Sequence, residues 1–250
     1  MPEFVKSERD NNAPYRDRGL FGRGGLSVLP DDLRKGAQVL GPHAHPEITM
    51  HTHSLAAYVK CLDRSDWESV AELMLDSARK LEQAGADFLI CPDNTIHQAM
   101  ALVEKHTPLP WLHIAEVVAA EAVARGYRQI GLLGTRWLVE SEVYPEKLKP
   151  LGIDVVGPTD EERREIDRII MDELVYGVFR PESVTYYQLV IRRMKDEGCD
   201  AVVLGCTEIP LIISNRNSPL PVLDSTRLLA WAALRRAVDS PPLLTPIANL

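Results

Sequence analysis

The sequence has no long hydrophobic run, no excess of positive charge and no closely spaced cysteine pair. It contains no stretch of about 18 uncharged apolar residues, which a membrane-spanning helix requires. A formal net charge of −8 argues against nucleic acid as the main partner, because phosphate binding needs clustered lysine and arginine. Residues 1–18 are polar and lack the apolar core of a secretory signal. We therefore expect no membrane partner, no nucleic-acid partner and no export.

The four cysteines also indicate that the protein stays inside the cell. None of them forms a C-x-x-C pair, and a chain of this length without an export signal normally keeps its thiols reduced. The sequence therefore predicts free cysteines and a cytoplasmic protein. The cysteines are Cys61, Cys91, Cys199 and Cys206.

The chain is long and apolar enough for a large core. It has 250 residues, of which 45% are hydrophobic and 26% charged, and a chain of this size buries roughly 70–75% of its unfolded surface. One domain or two lobes are both compatible with that length. Residues 1–18 are expected to be disordered or loosely attached.

Apolar strand patterns alternate with amphipathic helix patterns between residues 65 and 224. Ser65 and Glu68 have the spacing of a capping box, which predicts a helix running to about Ala84, and Thr159 with Glu162 predicts a second cap. The alternation predicts an α/β fold with a parallel sheet covered on both faces, and ligands at the carboxyl ends of its strands. Strands are predicted at 88–91, 111–114, 129–134, 153–156, 201–204 and 221–223.

Two segments of the chain match each other. Residues 85–95 can be laid over residues 198–208, since each has a glycine, an aspartate two residues later, an apolar strand and a polar cluster. The overlay places Asp93 opposite Cys206, so that each side of a cleft would carry one acid–base group. Two alternatives stay open: the pattern is common in parallel α/β proteins, and a lone cysteine is more often a small buried hydrophobe.

The segment Val202-Val203-Leu204-Gly205-Cys206-Thr207-Glu208-Ile209-Pro210 resembles the second cysteine motif of the aspartate/glutamate racemase family. The resemblance covers roughly residues 43–238 and includes Asn94-Thr95-Ile96-His97 and Gly131-Leu132-Leu133-Gly134-Thr135. It implies two pseudo-symmetric α/β lobes with the active site in the cleft between them, often paired as homodimers. It also implies racemisation without pyridoxal phosphate or metal, with one residue of each lobe moving the α-proton.

On this resemblance we expect a first lobe of residues 19–112 plus 225–250 and a second lobe of residues 113–224. The family usually has cysteine immediately before Asn-Thr, where this chain has Asp93, and Cys91 lies two residues earlier. The predicted pair is therefore Asp93 as an ionised base and Cys206 as a protonated acid, as their ordinary pKa values favour at neutral pH. The alternative is that Asp93 is a helix cap and Cys206 acts alone.

Neutral donors at strand-to-helix turns are expected to hold a substrate carboxylate, although plain helix capping is an alternative for two of them, Asn94 and Thr95. Glu47 stands where acidic-substrate members of the family carry a basic residue, which leaves neutral or basic amino acids open. The predicted substrate-binding residues are Asn94, Thr95, Thr135 and Thr207. The resemblance adds Gly25 and Ser27, since residues 24–27 resemble the family's Gly-Gly-x-Ser substrate loop, and Arg180, where the family has a second cation.

Two H-x-H pairs, His43 with His45 and His51 with His53, have a spacing that can bind zinc. No carboxylate-rich third-ligand motif stands beside them in the sequence, so we expect no metal and no cofactor.

The sequence therefore predicts a cofactor-independent amino-acid racemase or epimerase acting on a small-molecule substrate, most simply as a homodimer. Two alternatives keep the cleft but change the reaction: a thiol-dependent decarboxylase, or a cis–trans isomerase of a small diacid. A third is a catalytically impaired homologue that only binds a carboxylate. A metallohydrolase is a more distant alternative.

Overall fold

The computed structural model describes residues 40–239 and the backbone of Arg18–Phe21. Within these residues the strands form two four-stranded sheets, and every strand pair is parallel. The predicted α/β class with helix-flanked parallel sheets is confirmed. The strands are β1 Arg18–Phe21, β2 Ile48–His51, β3 Phe88–Ile90, β4 Trp111–Leu112, β5 Gln129–Leu133, β6 Asp154–Val156, β7 Ala201–Leu204 and β8 Val222–Asp224.

The two sheets have the same strand order. The first sheet is ordered β2-β1-β3-β4 and the second β6-β5-β7-β8. In each sheet the chain moves outward in one direction and then returns to the other side of its first strand, so the order reverses between β1 and β3 and between β5 and β7. Loops diverge at such a reversal and leave a crevice at the carboxyl ends of the strands.

Helices and short helical turns connect the strands. The α-helices are α1 Leu55–Leu62, α2 Trp67–Gln83, α3 Met100–Val103, α4 Ile114–Ala124, α5 Arg136–Val139, α6 Pro145–Leu148, α7 Asp160–Arg168, α8 Pro181–Asp196 and α9 Ser225–Asp239. The 3₁₀ turns are Thr95–Ala99, Lys149–Leu151, Leu174–Tyr176 and Ile209–Leu211. The helix predicted after β3 is therefore a 3₁₀ turn followed by one short α-helix.

One of the two predicted helix caps is correct. Thr159 and Glu162 form the expected capping box at the start of α7. The cap predicted at Ser65 is wrong, because Ser65 has a left-handed backbone with φ of 52°. The neighbouring Asp66 caps α2 instead, accepting hydrogen bonds from the backbone N–H and the hydroxyl of Ser69 at 3.1 and 2.8 Å.

Helix α7 widens into a π-helical turn at Ile169–Glu173 and then tightens into the 3₁₀ turn that ends at Gly177. Single π turns are frequently found at functional sites, because the extra residue changes which side chains share one face. Ile170 of this turn is fully buried in the core that also contains Cys206. The turn therefore places side chains next to the end of β7.

The sequence repeat corresponds to a structural repeat. Gly85 and Gly198 both have left-handed backbones, with φ of 94° and 97°. After each glycine a backbone N–H bonds five residues back, from Ala86 to Leu81 and from Cys199 to Met194, both at 3.0 Å. The same helix ending thus leads into β3 and into β7.

Two helices contact the cores of both sheets. Helix α4 packs its alanine-rich face with β5 and β7, while Ile114 belongs to the cluster around Phe88 of β3. Helix α9 packs on that same cluster through Leu229 and Ala233. The predicted lobe boundary at 112/113 falls just before α4 and stays a prediction. Among the described helices, none has both the length and the apolarity needed to cross a bilayer.

Candidate active site

A single cavity gathers the turns that follow β3, β5 and β7. Six of the residues predicted from the sequence line it, although they come from positions more than a hundred residues apart. They are Asp93, Asn94, Thr95, Thr135, Cys206 and Thr207.

Asp93 is partly buried at the end of β3. Its Oδ1 accepts a hydrogen bond from the backbone N–H of Thr95 at 2.9 Å, so it caps the following turn while it also lines the cavity. Burial raises the pKa of Asp93 to about 6, against the lowering effect of the Thr95 N–H and with a smaller raising effect from Glu208. A carboxyl of this kind exchanges a proton close to neutral pH.

Cys206 lies at the end of β7 and is 8% exposed. Its thiol donates a hydrogen bond to Oε2 of Glu208 at 3.0 Å, and the hydroxyl of Thr207 donates to the same oxygen at 2.6 Å. Burial, followed by the carboxylate of Glu208, raises the pKa of the Cys206 thiol well above its usual value, and Asp93 adds to the increase. The thiol is therefore held in its protonated form.

Asn94 links both sheets below the cavity. Its amide Nδ2 donates to Ser225 Oγ at 3.0 Å, and its Oδ1 accepts from the hydroxyl of Tyr144 at 2.7 Å. Ser225 in turn donates to the carbonyl of Leu204 at the end of β7. Asn94 also lines the cavity, and the bond to Ser225 uses one of its two amide hydrogens.

Thr95 and Thr135 meet across the cleft, with their hydroxyl oxygens 2.9 Å apart. Thr135 Oγ1 also accepts a long hydrogen bond of 3.4 Å from Leu138 N at the start of α5. Capping and cavity lining therefore coexist at Thr135.

A buried histidine, His97, hydrogen-bonds to the backbone carbonyl of Asp93. The Nδ1–H of His97 donates to the carbonyl of Asp93 at 2.8 Å, and its Nε2 accepts from the N–H of Ile114 at 3.4 Å. Burial, then the neighbouring His113, lowers the pKa of His97 to about 3. Burial and Lys147 lower that of His113 to about 4. Both rings are therefore neutral supports at physiological pH.

Three further residues, Gly25, Ser27 and Arg180, were predicted to bind the substrate. Gly25 and Ser27 lie outside the described residues. Arg180 is exposed and precedes α8, with its Nε 3.9 Å from Oε1 of Glu173. It does not line the cavity.

The sequence reasoning missed Glu208 and the apolar wall of the cavity. Glu208 stands inside the motif that identified Cys206, so its closeness could have been inferred from that motif alone. The apolar lining residues are Leu55, Tyr58, Val59, Leu62, Trp137, Ile170, Met171 and Val175.

A histidine cluster lies outside this cavity. Ligand atoms of His51, His53 and Asp76 all lie within 4.8 Å of one another, so the structure supplies the third group that the sequence did not reveal. Lys80 Nζ is 2.6 Å and His53 Nε2 is 2.9 Å from the same oxygen of Asp76. A metal ion would therefore have to displace the ammonium group of Lys80.

Comparison with known proteins identifies the family of this chain. The family model Asp/Glu/Hydantoin racemase matches residues 29–233. The broad specificity amino-acid racemase RacX of Bacillus subtilis is 24% identical over 168 residues, covering 66% of this chain and 71% of its own. A glutamate racemase of Koribacter versatilis is 28% identical, covering 90% and 75% of the two chains.

The fold is shared with solved structures as well. The crystal structure of PH1733, an aspartate racemase homologue from Pyrococcus horikoshii, is 27% identical with a TM-score of 0.77, covering 89% of this chain and 99% of that one. The family model alone spans most of the chain and includes the turns that carry Asp93 and Cys206. The chain therefore belongs to the Asp/Glu/Hydantoin racemase family and is an isomerase of the racemase type.

Proposed function

We propose that this protein is a cofactor-independent amino-acid racemase in which Asp93 and Cys206 exchange the α-proton of the substrate. The observation that supports this most directly is that both side chains line one cavity and come from equivalent turns, after β3 and after β7. The relatives named as amino-acid and glutamate racemases support the choice of substrate class.

The protonation states of Asp93 and Cys206 suit a pair in which one group accepts a proton and the other donates one. With a pKa of about 6, Asp93 is mostly ionised at neutral pH and can accept a proton. Cys206, whose pKa is raised by burial and by Glu208, is protonated and can donate one. A base and an acid are therefore present together in the resting enzyme.

In the proposed reaction Asp93 takes the α-proton, and the electron pair of the broken Cα–H bond stays on the substrate. The thiol of Cys206 then gives its proton to the opposite face of the carbon, forming the new Cα–H bond. Asp93 is left protonated and Cys206 is left as a thiolate, which is the form that works in the reverse direction. The resting state returns when Asp93 releases its proton to solvent and the Cys206 thiolate takes up a proton from solvent. Glu208, whose Oε2 lies 3.0 Å from the sulfur, can relay that proton to Cys206.

The carboxylate of the substrate would be held by neutral donors. Asn94, Thr95, Thr135 and Thr207 surround the cavity at the carboxyl ends of the strands. Donors fixed before the reaction stabilise the charge that develops on the carboxylate as the proton leaves. Their own contacts, such as the 2.9 Å pair between Thr95 and Thr135, keep them in place.

Homodimer formation and a cytoplasmic location are the remaining parts of the proposal. The resemblance to the family supports the dimer. The four cysteines are free and buried, as expected for a reducing compartment. Light scattering at two protein concentrations tests the dimer, and a monomer mass at both would contradict it.

Loss of the α-proton signal in deuterium oxide tests the reaction. NMR of D- and L-amino acids with the native protein should show exchange and racemisation, which Cys206→Ser and Asp93→Asn should each reduce at least about 100-fold. Cys199→Ser, a buried cysteine outside the cavity, is the matched control and should retain activity.

Other results would support the alternatives. Carbon dioxide release or alkene isomerisation with little dependence on Asp93 would indicate the decarboxylase or the cis–trans isomerase. Thermal stabilisation by an amino acid without any proton exchange would indicate a binding protein. Full two-way exchange in Asp93→Asn would overturn the Asp93/Cys206 pair even if racemisation is real.

A further inference from the structure

The cavity has an apolar wall on the side of Asp93. Leu55, Tyr58, Val59 and Leu62 follow one another at helical spacing, so they form a single stripe on α1 that lines the cavity. Tyr58 and Leu62 belong to the core that contains Cys91, two residues before Asp93. Leu55 and Val59 are only partly buried, so they keep apolar surface that a ligand can cover.

A second apolar wall lies on the side of Cys206. The π-helical turn contributes Ile170 and Met171, and Val175 follows one turn later. These three residues pack with the core that contains Cys206. Met171 and Val175 are partly exposed, and methionine adapts its shape to different partners. Each member of the proposed acid–base pair is thus bordered by apolar side chains.

The charged residues of the cavity are both acidic. Asp93 and Glu208 line it, and among the described lining residues there is no lysine, arginine or histidine. Arg136, which follows the lining Thr135, lies 2.9 Å from Asp63 and 3.8 Å from Asp167. A carboxylate side chain on the substrate would therefore meet like charge. The positive charge that the two carboxylates favour is the α-ammonium group that every amino acid carries.

We infer that the substrate is an amino acid with an apolar side chain of about the size of leucine or methionine, bound between the α1 stripe and the π-helical turn. This inference rests on the proposed racemase function and names its substrate class. Leu55 and Met171 are the specificity-determining residues that are easiest to test, because both are only partly buried.

Initial rates of α-proton exchange for leucine, methionine, alanine, lysine, aspartate and glutamate test the substrate class. We expect kcat/KM for leucine and methionine to exceed that for alanine, lysine and both acidic amino acids by at least about tenfold, the effect of a filled apolar pocket. A preference for aspartate, glutamate or lysine would overturn the inference while leaving racemisation intact.

Two wall variants test the location of the side chain. Leu55→Ala and Met171→Ala should each lower kcat/KM for leucine about tenfold and change that for alanine less than about twofold. Leu189→Ala removes an exposed leucine of α8, outside the cavity, and should change neither. Equal losses for leucine and alanine in the wall variants would contradict the assignment.

A binding measurement separates this inference from the proposed reaction. Calorimetry with Cys206→Ser should show leucine binding at least about tenfold tighter than glutamate. Tighter leucine binding without exchange by the native protein would reject the racemase but support the apolar site. Proton exchange with a 5-alkylhydantoin but not with leucine would also reject the amino-acid racemase and support the apolar site, with a neutral cyclic compound as the substrate. Tighter glutamate binding would reject the apolar site.

Discussion

The hydroxyl groups of Thr95 and Thr135 lie 2.9 Å apart, which joins the turn after β3 of the first sheet to the turn after β5 of the second. Both residues line the cavity, so this contact fixes its width at one point. The contact is also the simplest one between the sheets to remove, since each hydroxyl can be replaced by a methyl group.

Thr95→Val and Thr135→Val should each destabilise the protein by about 1 kcal/mol, the net value of one hydrogen bond. Thr135→Val should cost somewhat more, because Thr135 also accepts from Leu138 N. In the double variant the losses should fall short of the sum by roughly 0.5–1 kcal/mol in urea unfolding, since one hydrogen bond cannot be lost twice. Strict additivity would show that the two hydroxyls do not interact.

Tyr144→Phe should destabilise the protein by about 1–3 kcal/mol, because it leaves the buried carbonyl oxygen of Asn94 without its donor. Tyr187→Phe is the matched control. Tyr187 is also fully buried, but its hydroxyl has no hydrogen-bond partner within the described residues, so its removal should be neutral or stabilising. Equal losses of unfolding free energy in the two variants would contradict the role of Asn94.

Gly205→Ala should lower both stability and kcat. An added Cβ at this position would lie 2.5 Å from Cδ2 of Leu138 and 2.9 Å from the carbonyl oxygen of Leu133, so the turn that carries Cys206 must shift. We expect about 1–3 kcal/mol of destabilisation, as for other overpacked sites. Gly157→Ala, which has nothing within 4 Å of the added carbon, should change neither quantity. Urea unfolding and the deuterium exchange rate provide both measurements.

The pH dependence should follow Asp93. In the direction in which Asp93 is the base, kcat/KM should rise as the pH increases through about 6, the pKa to which burial raises this carboxyl. A profile that stays flat from pH 5 to 8, or that falls across it, would contradict this role.

Ionisation of Asp93 should lower the free energy of unfolding while it raises kcat/KM. Because the pKa of Asp93 in the folded protein lies above its ordinary 3.8, ionisation of Asp93 lowers the free energy of unfolding as the pH rises from about 4 to about 6. Asp93→Asn can still accept from Thr95 N but does not ionise, so it should gain stability over the native protein between pH 4.5 and 7. Urea unfolding at the two pH values measures that difference, and an unchanged difference would refute it.

Because of the buried histidines, the folded protein should lose stability as the pH falls. Burial lowers the pKa of His97 to about 3, so the unfolded chain binds its proton first as pH falls below 6.5. The free energy of unfolding should therefore fall from pH 6.5 to 4, and His97→Asn should reduce that slope. His106→Asn, an exposed histidine outside the cavity, should keep the native slope. Identical slopes in all three proteins would mean that His97 is protonated in the folded state.

Local sequence signals predicted six of the eight described strands and the positions of Asp93 and Cys206 at strand ends, because short apolar strands with polar ends are typical of a buried parallel sheet. Strands β1 and β2 were not predicted. Helix α1 was not predicted, and its N-cap residue Ser54 makes no side-chain hydrogen bond to the helix. The cap assigned to Ser65 belongs to its neighbour Asp66, which competes for the same role. The π-helical turn, whose Ile169 and Ile170 pack in the core, was not predicted, since no local residue pattern indicates such a turn.

Contacts distant in sequence were also beyond prediction. Asn94 lines the cavity, but its hydrogen bonds with Tyr144 and Ser225, 50 and 131 residues away, could not be predicted from the sequence. Arg180 looked like a cation of the site, but it lies near Glu173 on the surface. Neither outcome follows from spacing, since both depend on how the two sheets pack.

A chain of hydrogen bonds runs from Tyr144 to Asn94, from Asn94 to Ser225 and from Ser225 to the carbonyl of Leu204. It joins segments that the ribosome produces at very different times. Ser225 begins the last helix of the described chain, so the floor of the cleft is complete only after that helix has left the exit tunnel. A nascent chain that already carries Asp93 and Cys206 therefore still lacks the hydrogen bonds that connect the floor of the cleft.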